Sequence, residues 1–272
     1  MSRLQQLASK AREEGRKLLI PYLVAGDPNL ASTAQLLDEL VAQGADIIEL
    51  GIPFSDPASD GPVIQQGVER ALAKNVTLAN TLELVRQFRA RNQDTAIVLM
   101  GYLNPIEIMG YEVFAEAARD AGVDGVLVVD MPPAESSGLH EALRSRELDT
   151  IYLVAPTTGE ARSRDIIQHC SGYLYYVSLK GVTGAALTDH ESVAASIGRL
   201  RTHTDLPIVI GFGIKDGASA AAMAALADGV IIGSALVNEI GKLADTEQQD
   251  GDSLRQCCAV IGAARKAIDK LK

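Results

Sequence analysis

The feature that most constrains the fold is a series of short aliphatic runs that alternate with helical segments along the 272 residues. The intervening segments place apolar residues at helical spacing, as Leu36, Leu37, Leu40 and Val41 do before Gly44. A helix that joins two parallel strands crosses over right-handed, so this order predicts a parallel sheet. Eight runs have the length and composition of strands: Leu18–Val24, Asp46–Leu50, Ala96–Gly101, Gly125–Val129, Thr150–Val154, Tyr173–Ser178, Pro207–Gly211 and Gly229–Ile232.

Two α/β architectures fit such an order. A doubly wound open sheet usually has fewer strands and a GxGxxG turn after the first, whereas this chain has Gly26-Asp27-Pro28 there. Eight strand–helix units instead close into a (β/α)₈ TIM barrel. We therefore predict one α/β domain over residues 1–272, a TIM barrel with an extra N-terminal helix around Leu4–Ala11 and a C-terminal helix around Leu254–Leu271.

Charge and cysteine usage exclude several classes of partner. The chain has 25 basic and 35 acidic side chains, a net charge of −10, which disfavours nucleic acid and anionic membrane surfaces. No apolar run approaches the roughly 20 residues of a membrane span, and the N-terminal residues lack the apolar core of a secretory signal. Cys170, Cys257 and Cys258 form no CxxC, which indicates reduced, packed thiols. We expect a cytoplasmic protein.

Active sites of such barrels lie at the carboxyl ends of the strands, where Glu49 is the first candidate. If Ile48 and Leu50 face the helices, Glu49 points into the barrel, because side chains alternate along a strand. Burial raises the pKa of a carboxyl group, and a raised pKa suits a general acid–base near neutral pH. The alternative is a structural ion pair at the strand end.

The loop after this strand, residues 51–62, is long and rich in proline, glycine and aspartate. Asp60 is either the N-cap of a helix that starts near Pro62 or a second carboxylate that faces Glu49 across the barrel mouth. Asp56 is interpreted as a turn residue. Asp130, after the fourth strand, is either a loop anchor or a site residue.

Glycines follow the last three strands, where backbone N–H groups can approach a phosphate. Residues 211–214 read Gly-Phe-Gly-Ile, Gly233 precedes Ser234 at the start of a predicted short helix, and residues 180–184 form a possible mobile lid. Together they predict a phosphate site. The histidines, by contrast, show no metal-binding HxH or HExxH spacing, and no GxSxG motif is present; the four are His140, His169, His190 and His203.

Six motifs, in order along nearly the whole chain, resemble the tryptophan synthase alpha chain family. The most specific is the stretch that runs from Ile48-Glu49-Leu50-Gly51-Ile52-Pro53-Phe54-Ser55-Asp56-Pro57 to Asp60-Gly61-Pro62. The supporting motifs are Pro21–Pro28, Met100–Pro105, Gly181–Gly184, Gly211–Ile214 and Gly233–Ala235.

The resemblance implies a lyase of tryptophan biosynthesis that splits indole-3-glycerol phosphate into indole and glyceraldehyde 3-phosphate. It implies no cofactor on this chain, and a beta chain with pyridoxal phosphate that receives the indole in an alpha2beta2 heterotetramer. Glu49 would be the general acid–base and Asp60 the partner of the indole N–H. The other implied residues line the substrate pocket (Tyr175, Tyr22, Met100, Leu127, Phe212, Thr183), bind phosphate (Gly184, Gly213, Gly233, Ser234) or meet the partner (Pro53, Asp56, Pro57, Asn104, Pro105, Pro132).

Three alternatives stay open at this stage. The pocket residues can be ordinary barrel core, and the chain can be another phosphate-binding barrel isomerase or lyase, or a non-catalytic activating subunit. The chain also departs from the commoner family pattern at Ala58-Ser59, where Leu-Ala is usual, at Leu179-Lys180, where an arginine is frequent, and at Tyr22, usually phenylalanine. These departures leave Glu49 and Asp60 in place.

Overall fold

A computed structural model describes residues 2–178, 190–211, 213–244 and 250–271. Its parallel strands form a closed barrel in sequence order, in which β8 pairs back onto β1 through Leu18 and Gly229. The strands are β1 (Leu18–Val24), β2 (Ile47–Gly51), β3 (Ala96–Gly101), β4 (Gly125–Val128), β5 (Asp149–Val154), β6 (Leu174–Val177), β7 (Ile208–Gly211) and β8 (Gly229–Ile232). The predicted TIM barrel is confirmed, with strand ends shifted by at most one residue.

The helices surround the barrel, and some strands are followed by more than one helix. Two helices follow β2 and two follow β3, and the predicted C-terminal helix is divided at Cys258. The helices are α1 (Arg3–Glu13), α2 (Leu30–Ala42), α3 (Pro62–Leu72), α4 (Leu78–Arg89), α5 (Leu103–Met109), α6 (Tyr111–Ala121), α7 (Ser137–Ser145), α8 (Glu160–His169), α9 (His190–Arg201), α10 (Gly217–Ala224), α11 (Ser234–Ala244), α12 (Gly251–Cys257) and α13 (Ala259–Ile268), with 3₁₀ turns at Pro133–Glu135 and Asp269–Leu271.

Alternation along β2 separates two apolar cores. Ile48 and Leu50 pack in the outer core between strands and helices, whereas Ile47 belongs to the core inside the barrel. Glu49 therefore points inward, as predicted. Leu4 of α1 joins the inner core from the opposite end of the barrel. The helix α1 thus closes the base, and the site lies at the other end.

Four reciprocal pairs of hydrogen bonds, called clamps here, brace the base of the barrel. Each clamp joins a residue of β1, β3, β5 or β7 to a residue that lies just before the following strand. In the first clamp, the Asp46 carboxylate accepts the Leu19 N–H at 2.8 Å, and the Asp46 N–H donates to the Leu19 carbonyl at 3.0 Å. Three clamps use aspartate and one uses serine; the other three pairs are Asp124 with Ile97, Ser171 with Thr150, and Asp228 with Ile208.

Buried ion pairs reinforce two of the clamps. Asp124 pairs with Arg89 at 2.6 Å and also with Arg3 of α1, while Asp46 pairs with Arg16 and with Arg265 of α13. Pairing with arginine and acceptance of backbone N–H groups offset part of the cost of burying these carboxylates, although burial still raises the pKa of Asp124 above its ordinary value. The clamps therefore join the terminal helices to the barrel floor.

Two further observations concern membrane-spanning helices and the cysteines. Within the described ranges, no helix combines the length and the apolar character that crossing a membrane requires. Cys170, Cys257 and Cys258 are free and buried. The prediction of unpaired, packed thiols is confirmed.

Candidate active site

A cavity of about 490 Å³ opens at the carboxyl ends of the strands. Its lining combines two carboxyl groups, an apolar wall and a glycine-rich rim, the three features that the sequence predicts for this end. The lining residues are Tyr22, Glu49, Ser59, Asp60, Gly61, Ile64, Met100, Val129, Leu153, Tyr175, Val177, Gly213, Ile214, Lys215, Ile231, Gly233, Ser234 and Ala235.

Glu49 lies fully buried at the floor of this cavity. Burial raises the pKa of its carboxyl group to about 7, although the hydroxyl of Tyr173, which donates to Oε1, acts in the opposite direction. Oε2 has no hydrogen-bond partner among the described residues, and none of their cations pairs with Glu49. The ion-pair alternative is thus not supported, and one carboxyl oxygen is available to a ligand.

Asp60 also lines the cavity, from the loop between β2 and α3. The helix α3 has Gly61 as its N-cap and no side-chain cap bond, so the N-cap interpretation of Asp60 is wrong. Burial raises the pKa of Asp60 to about 6, and a hydrogen bond with Tyr102 opposes that rise. Two carboxyl groups with pKa values near neutrality therefore share one cavity.

Tyr102 is a residue that sequence reasoning missed. It follows β3 directly, and its hydroxyl accepts the Ser59 N–H at 2.9 Å while it also bonds with the Asp60 carboxyl. Its ring lies 5.4 Å from that of Phe54, at the other end of the same loop. Tyr102 therefore fixes the Asp60 loop to the end of β3. Its signals in the sequence were its position directly after the third predicted strand and its place in the motif Met100–Pro105.

Two tyrosines fill the space beside Glu49, and each depends on a glycine. A Cβ on Gly51 would lie 2.4 Å from the Tyr22 hydroxyl oxygen, and one on Gly211 would lie 2.1 Å from that of Tyr175. Burial first, and then the nearby carboxylates, raises the pKa of both tyrosines well above their ordinary value. Both hydroxyls are therefore neutral donors beside Glu49.

The apolar wall differs from the prediction at one position. Met100 lines the cavity as expected, but Leu127, its partner in the register of β3 and β4, is buried in the inner core and does not line the cavity. Val129, two residues further on the same face of the chain, occupies the wall position, beside Leu153. The placement of Leu127 in the pocket lining is corrected, because the strand extends beyond it toward the mouth.

The glycine-rich rim lies where a phosphate was predicted. Gly213 takes a φ of +77°, which favours glycine, and Gly233 and Ser234 line the same cavity. The helix that begins at Ser234 has 11 residues and is longer than predicted, so its N-terminus carries a full helix dipole toward the rim. Lys215 also lines the cavity and was not predicted. Thr183, Gly184 and Phe212 lie outside the described residues.

The residues predicted to contact the partner differ in how exposed they are. Asp56 and Asn104 are exposed, while the prolines at 57, 105 and 132 are partly buried. Pro53 is buried at the start of its loop, so it does not present the exposed surface that its predicted contact with the partner requires. Near Asn104, Ile108 is 80% exposed, and α6 adds Val113 at 59%.

The remaining polar candidates have structural roles or lie elsewhere. Asp130 anchors a loop, because its carboxylate accepts the Leu103 N–H at 2.8 Å. His140 and His169 contact each other edge to face outside the barrel, on α7 and α8. Among the described residues, no cluster of three or more histidine, cysteine or acidic side chains suits a metal ion.

Comparison with known proteins assigns this arrangement to one family. The family model described as the tryptophan synthase alpha chain matches residues 8–266. The tryptophan synthase alpha chain of Thioalkalivibrio sulfidiphilus is 53% identical over 269 residues, which cover 99% of this chain and 100% of that one. The alpha chain of Burkholderia pseudomallei is 54% identical and covers 99% of this chain and 97% of its own length.

Solved structures agree with the sequence comparison. Tryptophan synthase subunit alpha from Legionella pneumophila superposes with a TM-score of 0.91 at 42% identity, and 99% of each chain is covered. An aminoacrylate-bound tryptophan synthase from M. tuberculosis gives a TM-score of 0.86 at 31% identity, with 98% of this chain and 100% of that one covered. The chain described here belongs to the tryptophan synthase alpha chain family, whose members are lyases.

Proposed function

We propose that this chain cleaves indole-3-glycerol phosphate into indole and glyceraldehyde 3-phosphate. The observation that carries the proposal is the pairing of Glu49 and Asp60, two carboxyl groups of raised pKa, with a glycine-rich rim in one cavity. The substrate has an apolar indole ring at one end and a phosphate ester at the other. The apolar wall of the cavity suits the ring, and the backbone N–H groups of the rim suit the phosphate.

Glu49 can carry out both proton transfers of the cleavage. As the acid, it protonates C3 of indole and leaves positive charge on the ring nitrogen. The bond between C3 and the side chain then breaks, and its electron pair returns to the ring. At the same time the side-chain hydroxyl becomes an aldehyde and returns its proton to Glu49. A pKa of about 7 keeps both forms of Glu49 accessible at neutral pH. Asp60, when ionised, stabilises the charge on the ring nitrogen.

The remaining substrate contacts follow from the lining. Tyr22, Met100 and Tyr175, with Val129, would enclose the indole ring, and Gly213, Gly233 and Ser234 would bind the phosphate through backbone N–H groups and the helix N-terminus. Thr183, Gly184 and Phe212 are proposed to add contacts from the adjoining segments. The chemistry needs no cofactor on this chain, and in this family pyridoxal phosphate belongs to the beta chain.

The test is indole release by the purified chain with indole-3-glycerol phosphate as substrate. We expect Glu49→Gln to lower the rate by about 10²–10⁴-fold, because the shape of the side chain is kept and proton transfer is lost. Glu141→Gln, the same change on the exposed face of α7, serves as the matched control. Activity of Glu49→Gln within tenfold of the parent would contradict the assigned role. A parent chain that releases no indole would favour another sugar-phosphate reaction.

Membership of the family implies a beta-chain partner, and we propose that it docks at the barrel mouth in an alpha2beta2 heterotetramer. The exposed Ile108 and Val113 support this location, as do the exposed Asp56 and Asn104. We expect the cognate beta chain to raise indole release at least about tenfold, ~1.4 kcal/mol of barrier.

Ile108→Asp should weaken that association, whereas Leu271→Asp at the C-terminal turn should not. Equal binding by both variants, measured by ultracentrifugation, would place the interface elsewhere. We further propose that the chain is a single domain in the cytoplasm, a setting with which its free cysteines are consistent.

A further inference from the structure

We propose that Lys215 is a phosphate-binding residue, whose ammonium group adds a full positive charge to the backbone donors of the glycine-rich rim. The inference rests on the proposed function, since it concerns the phosphate end of the same cavity. Lys215 lines that cavity with Gly213, Gly233 and Ser234. Among the lining residues that the structure describes, it is the sole basic side chain.

The charge balance of the cavity explains why a cation matters there. A phosphate monoester carries a charge of about −1.5 to −2 at pH 7. It enters a protein of net charge −10 and a cavity that already contains Glu49 and Asp60. Helix and backbone dipoles amount to only about half a positive charge at a helix N-terminus. Without Lys215, the described lining would present two carboxyl groups and no formal positive charge to a dianion.

The backbone of Lys215 is fixed next to the rim. Its N–H donates to Oγ of Ser219 at 3.1 Å, and the N–H of Asp216 donates to the same oxygen at 3.1 Å. This anchors the turn that begins at Gly213 to the first turn of α10. The side chain therefore starts from a defined point two residues after the predicted phosphate-binding glycine.

The neighbouring Asp216 carboxylate attracts the Lys215 ammonium group, but it is hydrogen-bonded to Ser219 and forms no ion pair with Lys215. Asp216 caps α10, and its Oδ1 accepts the Ser219 N–H at 2.8 Å and the Ser219 hydroxyl at 2.7 Å. No carboxylate of the described residues forms an ion pair with Lys215. Since a lysine acts as a mobile point charge, it can follow a phosphate held by the more rigid backbone donors.

Titration calorimetry with glycerol 3-phosphate tests the proposal directly. At pH 8 and low salt, we expect Lys215→Met to raise Kd about tenfold, which corresponds to ~1.4 kcal/mol. Lys215→Arg keeps the charge and should stay within about threefold of the parent. Lys242→Met is the matched control, because it changes the net charge equally on an exposed part of α11, where Lys242 pairs with Glu239.

A pH comparison separates charge from packing. Phosphate esters lose their second charge below a pKa of about 6, so the ratio of Kd between Lys215→Met and the parent should shrink at pH 5. The other acidic groups near the ligand, Glu49, Asp60 and Asp216, are present in both proteins, and the ratio removes their common effect. Added salt should reduce the same ratio at pH 8 by screening.

Distinct outcomes overturn distinct statements. If Lys215→Met binds glycerol 3-phosphate as the parent does at pH 8, the role of Lys215 is refuted while the phosphate site stands. Equal losses for Lys215→Met and Lys215→Arg, or a ratio that is the same at pH 5 and pH 8, would refute a charge effect. If the parent itself does not bind glycerol 3-phosphate, the proposed function fails together with this inference.

Discussion

The buried carboxyl group of Glu49 makes the stability of the protein depend on pH in a direction that Glu49→Gln should reveal. In the folded protein its pKa is about 7, whereas an unfolded chain has the ordinary value near 4.3. The folded state therefore binds this proton more tightly than the unfolded state. The resulting stabilisation is fully present below about pH 4 and is lost as the pH rises through 7.

The size of the effect follows from the two pKa values. A rise of the pKa from its ordinary value to about 7 corresponds to roughly 3–4 kcal/mol, since a tenfold change in proton affinity is worth about 1.4 kcal/mol. A glutamine does not titrate, so the free energy of unfolding of Glu49→Gln relative to the parent should increase by about 3 kcal/mol between pH 5 and pH 8. Other groups titrate alike in both proteins, so their contributions cancel in the difference. Any effect of the substitution that does not depend on pH only adds a constant to that difference.

Urea unfolding at several pH values measures this difference from midpoints and m-values. Tyr173→Phe provides an internal check, since loss of its hydroxyl hydrogen bond should raise the pKa of Glu49 further and move the pH-dependent range upward. A difference between the parent and Glu49→Gln that stays flat from pH 5 to pH 8 would refute a raised pKa for Glu49. The same result would remove the physical basis for its acid–base role.

Three further changes probe the supports of the site and the base. Tyr102→Phe removes a hydrogen bond that lowers the pKa of Asp60, so the Asp60 pKa should rise above 6, and the matching limb of the pH profile of kcat/KM should move to higher pH; an unchanged profile would contradict the contact. Gly51→Ala should destabilise the protein by about 1–3 kcal/mol through overpacking against Tyr22, and Tyr22→Phe should restore part of that loss in thermal melts; additive losses would argue against the clash. Arg89→Met should lower the free energy of unfolding by about 3 kcal/mol in urea titrations, because it leaves the buried Asp124 with only Arg3 as an ion-pair partner; a loss below 1 kcal/mol would show that Arg3 alone compensates.

Residue periodicity predicted what depends on local alternation. Ile48 and Leu50 share one face of β2, so the inward direction of Glu49 followed from the sequence, and eight strand-sized runs were enough to favour a closed barrel. The positions of Gly213, Gly233 and Ser234 at one rim followed from their place after the last strands. The inward direction of Glu49 is fixed within a few residues of the chain, whereas the barrel and its rim were predicted from the order of the strand–helix units along the whole chain.

Features that depend on depth or on loop course were not accessible in this way. Whether Leu127 or Val129 reaches the cavity depends on how far β4 extends toward the mouth, which alternation does not specify, since both lie on one face. The Tyr102 hydroxyl reaches Ser59, 43 positions away, only because the loop folds back over β3. The burial of Pro53 follows from the same loop course.

The base clamps also bear on the order in which the barrel folds. Each clamp joins residues only 20 to 27 positions apart, so it can form early at a small cost in loop entropy. Closure of the ring instead joins β8 to β1, where Lys17 donates to the carbonyl of Ala227, 210 positions away. Contacts of such long range form late. Because Tyr22 on the first strand meets Gly233 after the last strand only when the ring is closed, a partly folded chain contains strand pairs but no cavity. Recovery of indole release during refolding should therefore report ring closure itself.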